Sequence, residues 1–380
     1  MNLDYTDEQR ALSEALRRLL TNECPPKVVR QMESDALGYP RVLWSQLTEM
    51  GLAGLTVPEE FGGLAQGALD TALVYEEFGR ALCPSPHFIS SIVAASIVNG
   101  GGTLSQKREW LPAIADGSKL LTLALLEPGN DYNPVGIQLR ATRDAKEYRV
   151  TGTKYCVPFA TAADSILTVV RVGPAEQDID ILFVDPRAPG LSIVSTPTLG
   201  SDAQHQLRFE DVVVPESARI GTHATGWSHW TSALTDGMIA AAAWAVGCAD
   251  RAHEMATHYA KERVQFGRPI GSFQGISHPL ATVAMEIAGA RPLVHQAAWA
   301  RAQGQQAIVL AAMAKLHADF VNRHATAVGH QTLGGIGFTL DIDMQLYFRR
   351  AKQAQLSWGD PRYLENLIAT SVFEGNDDGL

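Results

Sequence analysis

Near residue 119 the apolar residues change from a helical spacing to a period of two, and near residue 222 they change back. A chain patterned this way has to set a β unit between two helical ones. In residues 1–118, Leu12, Leu16, Leu19 and Leu20 share one helix face. Thr6, just before Asp7 and Glu8, predicts the N-cap of that helix. A second helix is expected over 43–50, stopping at Gly51, and further helices over 69–81 and 87–98. The paired glycines Gly62 and Gly63 mark a loop.

In residues 119–222, the run 148–155 predicts a hairpin centred near Gly152. Runs 166–172 and 179–184 are β-branched strands, and 207–209 with 212–215 predicts a final strand pair. Residues 223–380 return to long helical patterns over 240–263, 278–304 and 306–329. The expected fold is mainly α with a central β-barrel domain, flanked by an N-terminal helical domain and a C-terminal four-helix bundle. No repeat, low-complexity segment or long linker separates the three regions.

Charge and cysteine usage narrow the function classes. The formal net charge is −10, which argues against nucleic acid as the main partner. Cys24, Cys83, Cys156 and Cys248 lie far apart without C-x-x-C spacing, so neither a metal site nor a disulfide framework is expected. They suit a reducing cytoplasm. The start of the chain carries no signal-peptide pattern. The apolar run 238–249 is too short to span a bilayer and reads as a buried helix.

Two segments have the chemistry of a dinucleotide site. Arg263-Val264-Gln265-Phe266-Gly267-Arg268-Pro269-Ile270, followed by Phe273-Gln274, offers a planar cation, an aromatic face and a tight turn. Gln331-Thr332-Leu333-Gly334-Gly335-Ile336-Gly337 lets backbone amides approach a phosphate or ribose. Arg263 also fits a helix-end cation, and the glycines also fit a helix C-cap. With Leu126-Glu127-Pro128-Gly129 and Phe209-Glu210-Asp211-Val212-Val213-Val214-Pro215, these segments resemble the acyl-CoA dehydrogenase family over nearly the whole chain. The resemblance implies FAD as cofactor. It also implies that Arg263, Phe266, Gln274, Gln331, Gly334 and Gly335 reach the FAD of a neighbouring subunit.

The chain departs from the family pattern where its own cleft would hold flavin and substrate. The family's threonine before Glu-Pro-Gly is Leu126, and its small residues after that segment are Asn130, Asp131, Tyr132 and Asn133. A flavin-shielding tryptophan is Cys156, and a flavin-bonding threonine is Pro158, which has no N–H. The family's catalytic glutamate takes one of two positions, and these are Gly237 and Gly359. Asp236 and Asp360 stand beside them as weak candidates for a base, since on a helix a neighbour points about 100° away.

The resemblance therefore implies the non-catalytic subunit of a heteromer, like those of steroid-degrading heterotetramers, completing the FAD site of a base-carrying partner subunit. The complex would desaturate an acyl-CoA and pass electrons to an acceptor flavoprotein, without membrane or nucleic acid as partner. Two other readings stay open: a self-sufficient homo-oligomeric flavoenzyme with altered chemistry, and a flavin-free scaffold. Tyr75, Glu76 and Phe78 either line an acyl pocket or belong to an ordinary amphipathic helix.

Overall fold

Period-two patterning becomes an eight-stranded sheet. The computed structural model describes residues 5–129 and 132–373. Its strands are β1 (Leu121–Ala124), β2 (Arg140–Asp144), β3 (Glu147–Pro158), β4 (Ser165–Arg171), β5 (Ile179–Val184), β6 (Leu191–Thr196), β7 (Gln204–Pro215) and β8 (Arg219–Ile220). The hydrogen-bonded order is β6-β7-β3-β2-β4-β5-β8, with β1 added parallel to β4. The expected barrel does not close among the described residues, because that path ends openly at β6 and β8. β8 is only two residues long, which leaves little edge to pair with. Tyr148, Val150, Val170, Leu182, Leu207 and Phe209 form the apolar core on the sheet.

Two sequence expectations are corrected here. Gly152 does not turn a hairpin; it lies inside β3, and the turn between β2 and β3 falls at Ala145 and Lys146. Residues 207–209 and 212–215 are one strand, β7, rather than a pair. Both errors have one cause. The β3–β7 register shifts between Val150 and Gly152, opposite Asp211 at φ 53°, so a bulge lets each strand run on through what reads as a break.

Segments of the chain gather into two compact units. Residues 30–66 and 84–237 form the unit that contains the sheet, with α3 (Arg41–Glu49), α5 (Ala95–Gly101) and α6 (Leu104–Ala115). Helix α2 (Pro26–Met32) leads into it. Its His87 ring is fully buried, with Nε2 2.8 Å from the Leu52 carbonyl oxygen. Burial pushes the imidazole down to about 4. The unfolded chain therefore takes up this proton first, near pH 6.5, and the fold resists it until about pH 4. Stability is intact above pH 6.5 and is lost as pH falls through that window, by up to about 3 kcal/mol from this residue. Urea unfolding at a series of pH values should show the decline, and His87→Gln should flatten it.

Residues 1–29, 67–83 and 238–380 form the helical unit. It contains α1 (Asp7–Glu23), α4 (Ala68–Ala81), most of α7 (Gly226–Glu262), α8 (Gln274–Ala302), α9 (Ile308–Leu333), α10 (Met344–Leu356) and α11 (Pro361–Phe373). Thr6 caps α1 as expected: its Oγ1 accepts from Gln9 N at 3.2 Å, and Gln9 Oε1 accepts from Thr6 N at 3.1 Å. Helix α7 is long and apolar enough to cross a membrane, but that stretch is 83% buried inside the protein, as in a core helix. Tyr75, Glu76 and Phe78 of α4 are also core residues. The Glu76 carboxylate takes Arg291 Nε at 2.8 Å and lies 3.2 Å from His295 Nε2, so its charge is met inside the unit. Gly79 and Gly247 sit where α4 and α7 cross, each against the other helix's main chain.

Candidate functional site

Arg263, Phe266 and Gln274 occupy one projecting segment of the helical unit. Strands β9 (Val264–Gln265) and β10 (Arg268–Pro269) pair antiparallel around a two-residue turn, Phe266-Gly267. Both turn residues have positive φ, 55° and 79°, as a primed hairpin turn requires. Glycine adopts that backbone freely; phenylalanine does so only under strain. Phe266 is nonetheless 93% exposed, its ring in edge contact with Phe273 at 6.1 Å. A strained, solvent-facing aromatic gains nothing from its own fold by being there.

The main chain of Arg263 closes the base of this hairpin. Its N–H donates to Tyr259 O, and its carbonyl accepts from Ile270 N, both at 2.8 Å. Its side chain is exposed, and among the described residues the guanidinium has no hydrogen bond or ion pair. The site lies just past the C-terminus of α7, where the helix dipole favours a cation in any case. Gln274 is the exposed first residue of α8.

Gln331, Gly334 and Gly335 lie at the end of α9 and in the turn after it, all exposed. The three glycines of this turn have different reasons. Gly334 has φ 65° and ψ −143°, a backbone that only glycine holds without strain. At Gly337 a Cβ would press on His330 Nδ1 and Leu333 Cβ, both at 3.1 Å. Gly335 has neither reason: its φ is not positive, and a Cβ there would meet nothing within 4 Å. The bare backbone at 335 leaves its amide open to a phosphate or ribose. Among the described residues no hydrogen bond or ion pair joins this turn to the hairpin.

His330, beneath the turn, escaped the sequence reading. It is 4% exposed, packed face-on to Phe338 and edge-on to Phe348, each at 4.6 Å. Neither ring nitrogen has a partner among the described residues, and burial holds its pKa below the ordinary value. Nothing in the local pattern around it signals that burial.

In the sheet unit, the segments that would hold the other half of a flavin are already engaged. Pro158 has no N–H, and its carbonyl accepts from the Thr122 hydroxyl at 2.5 Å. The Phe159 N–H is bonded to Ala203 O at 2.9 Å, and Tyr155 N–H to Leu126 O at 2.8 Å. No backbone donor is left at 158–159 for a flavin edge. Asn130 and Asp131 lie outside the described residues.

The two empty base positions differ. Gly237 is buried on α7, and the neighbouring Asp236 carboxylate accepts from Ser96 Oγ at 2.8 Å. Gly359 is not on a helix, so the helical-angle argument does not apply to it. It sits between α10 and α11 with φ 99°, and a Cβ there would lie 2.8 Å from Leu364 Cδ2. Asp360 Oδ1 accepts from Tyr363 N at 2.8 Å, so this carboxylate caps α11. Each candidate aspartate thus has a structural task.

Among the described residues no group of three or more His, Cys, Asp or Glu could hold a metal ion, and all four cysteines are free thiols. Profiles of the acyl-CoA dehydrogenase N-terminal, middle and C-terminal domains match residues 6–118, 122–212 and 224–373. The chain is 31% identical, over 98% of its length and 100% of the relative's, to a probable acyl-CoA dehydrogenase, YngJ, of Bacillus subtilis. It resembles a chain of the ChsE4-ChsE5 complex from Mycobacterium tuberculosis with a TM-score of 0.90 and 25% identity, covering 98% of this chain and 99% of that one. Against the Tcur3481-Tcur3483 steroid ACAD the TM-score is 0.87 at 30% identity, with 98% and 99% covered. The chain belongs to the acyl-CoA dehydrogenase family, whose members bind FAD. The hairpin and the Gly334–Gly335 turn fit that cofactor; the engaged backbone at 158–159 does not.

Proposed function

We propose that this chain is the base-lacking subunit of a heteromeric acyl-CoA dehydrogenase. One observation carries the reading. The residues that would serve a neighbour's flavin are exposed and uncommitted, while those that would serve its own are replaced or already bonded. When bound, FAD supplies a hydride acceptor for α,β-desaturation of an acyl-CoA thioester. Arg263 would hold its pyrophosphate, and Phe266 would cover an apolar face of it. Gln274, Gln331 and the amides at Gly334 and Gly335 would receive the adenosine end.

The α-proton would leave to a carboxylate on the partner subunit, because Gly237 and Gly359 offer none here. The likeness to chains of the ChsE4-ChsE5 complex and of the Tcur3481-Tcur3483 steroid ACAD supports a two-chain enzyme acting on a steroid acyl-CoA. An electron-accepting flavoprotein would be a further partner of the complex. The free thiols suit a cytoplasmic complex.

Flavin absorbance per chain, with mass by light scattering, tests this. The chain alone should carry little flavin, and co-expression with a glutamate-bearing partner should load it. One flavin per chain in a stable homo-oligomer overturns the proposal. In the loaded complex, Arg263→Ala should weaken flavin retention by about tenfold or more, the loss of a charge-assisted contact, while the melting of the isolated chain stays unchanged.

A further inference from the structure

The sheet unit holds a recess of about 690 Å³ that the flavin reading leaves unused. Arg140 and Arg143 of β2 line it, with Arg171 at the end of β4 and Val135, Val172 and Pro174 around them. Strands β2 and β4 pair in parallel at a single position, and that position sets Arg140 against Arg171. Like charges in register across a sheet repel unless an opposite charge meets them.

The three arginines are treated differently. Arg171 donates from Nε, Nη1 and Nη2 to the carbonyls of Ile137, Ala175 and Pro134, at 2.7, 2.6 and 2.6 Å. Those carbonyls orient the guanidinium without neutralising it. Arg143 is paired with Glu216 at 2.7 Å. The Arg140 side chain is exposed, and among the described residues its guanidinium has neither hydrogen bond nor ion pair. The recess has one carboxylate in its lining, Glu176, so Arg140 and Arg171 together outweigh it. Three apolar residues beside an uncompensated guanidinium suit a ligand with an anionic end and a flat or apolar body. The volume lies within the usual range for small-molecule sites.

We propose that this recess binds a phosphorylated small molecule of nucleotide size, with its phosphate on Arg140 and its body against Val135, Val172 and Pro174. The guanidinium fork matches phosphate oxygens in pairs, which an ammonium cannot do. None of these residues belongs to the set assigned to flavin.

Isothermal titration of the full chain with adenosine 5′-monophosphate at low salt tests the site. Saturable binding of one molecule per chain is expected, displaced by inorganic phosphate and absent with adenosine. Arg140→Gln should weaken it about tenfold or more, Arg140→Lys should retain part of it, and Arg263→Gln should leave it unchanged. Arg140 has no partner to lose, so thermal melting of both Arg140 variants should match the parent. No saturable binding overturns the proposal, as does equal binding by Arg140→Gln. Loss in Arg263→Gln instead would place the nucleotide at the flavin segment and overturn it as well.

Discussion

Gly247→Ala is expected to destabilise the helical unit by about 3 kcal/mol or more, and Gly247→Val to prevent that unit from folding. A Cβ at 247 would sit 1.9 Å from the Glu76 carbonyl oxygen, and a Cβ at Gly79 would sit 2.0 Å from the Trp244 carbonyl oxygen. Both obstacles are main chain, so no rotamer change relieves them; α4 and α7 would have to separate. Separation would also move Glu76 away from Arg291 and His295, exposing a buried carboxylate to loss of its partners. Gly289→Ala on α8 is the control, because a Cβ there meets nothing within 4 Å. That substitution should raise stability by about 0.5–1 kcal/mol through helix propensity alone. Urea unfolding of the two alanine variants should therefore give opposite signs. Similar small shifts for both would mean that the helices cross less closely than described.

That crossing shows what sequence reading reaches and what it misses. The cap of α1 was legible because its signal is local: Thr6 and Gln9 are three residues apart. The helix, sheet, helix order was legible because periodicity reports which face of an element is buried. The bulge opposite Asp211 was not, because a strand that continues through an irregularity reads as two strands. The Gly79–Gly247 contact depends on two residues far apart in the chain, and neither helix announces its partner.

The same limit applies to the site. Arg263, Phe266 and Gly334 are legible as a motif, but only the structure shows that the Arg263 guanidinium is unpaired among the described residues and that Phe266 is exposed in a strained turn. Phe266 in a positive-φ turn and Gly335 without a local cause are departures from local consistency. Such departures collect where function competes with folding. Asp236 and Asp360 go the other way. As sequence they stand next to the vacant base positions; in the fold each is a hydrogen-bond acceptor for a neighbour.

Glu127→Gln is the second large effect, with an expected loss of about 3–5 kcal/mol in the sheet unit. Lys154 on β3 is fully buried, its Nζ 2.6 Å from Glu127 Oε1 and 2.9 Å from Leu125 O. The same carboxylate accepts from Gln138 N at 3.0 Å and Leu139 N at 3.1 Å, so it ties these two residues to β3. Burial pushes Lys154 down to about 8, against the pull of Glu127, so the amine is still charged at neutral pH. Removing the carboxylate leaves that charge buried with carbonyl dipoles alone. The unfolded lysine keeps its proton up to about 10.5, so stability from this group rises with pH between about 8 and 10.5. The penalty of Glu127→Gln should accordingly be largest at low pH, shrink as pH rises toward 8, because the amine without Glu127 gives up its proton earlier than the paired one, and stay level above that. Adding Lys154→Met should recover most of the loss at pH 7, because a methionine of similar length needs no counter-charge. A single variant that costs under about 1 kcal/mol, or a double variant no more stable than the single, would mean that the pair is not buried as described.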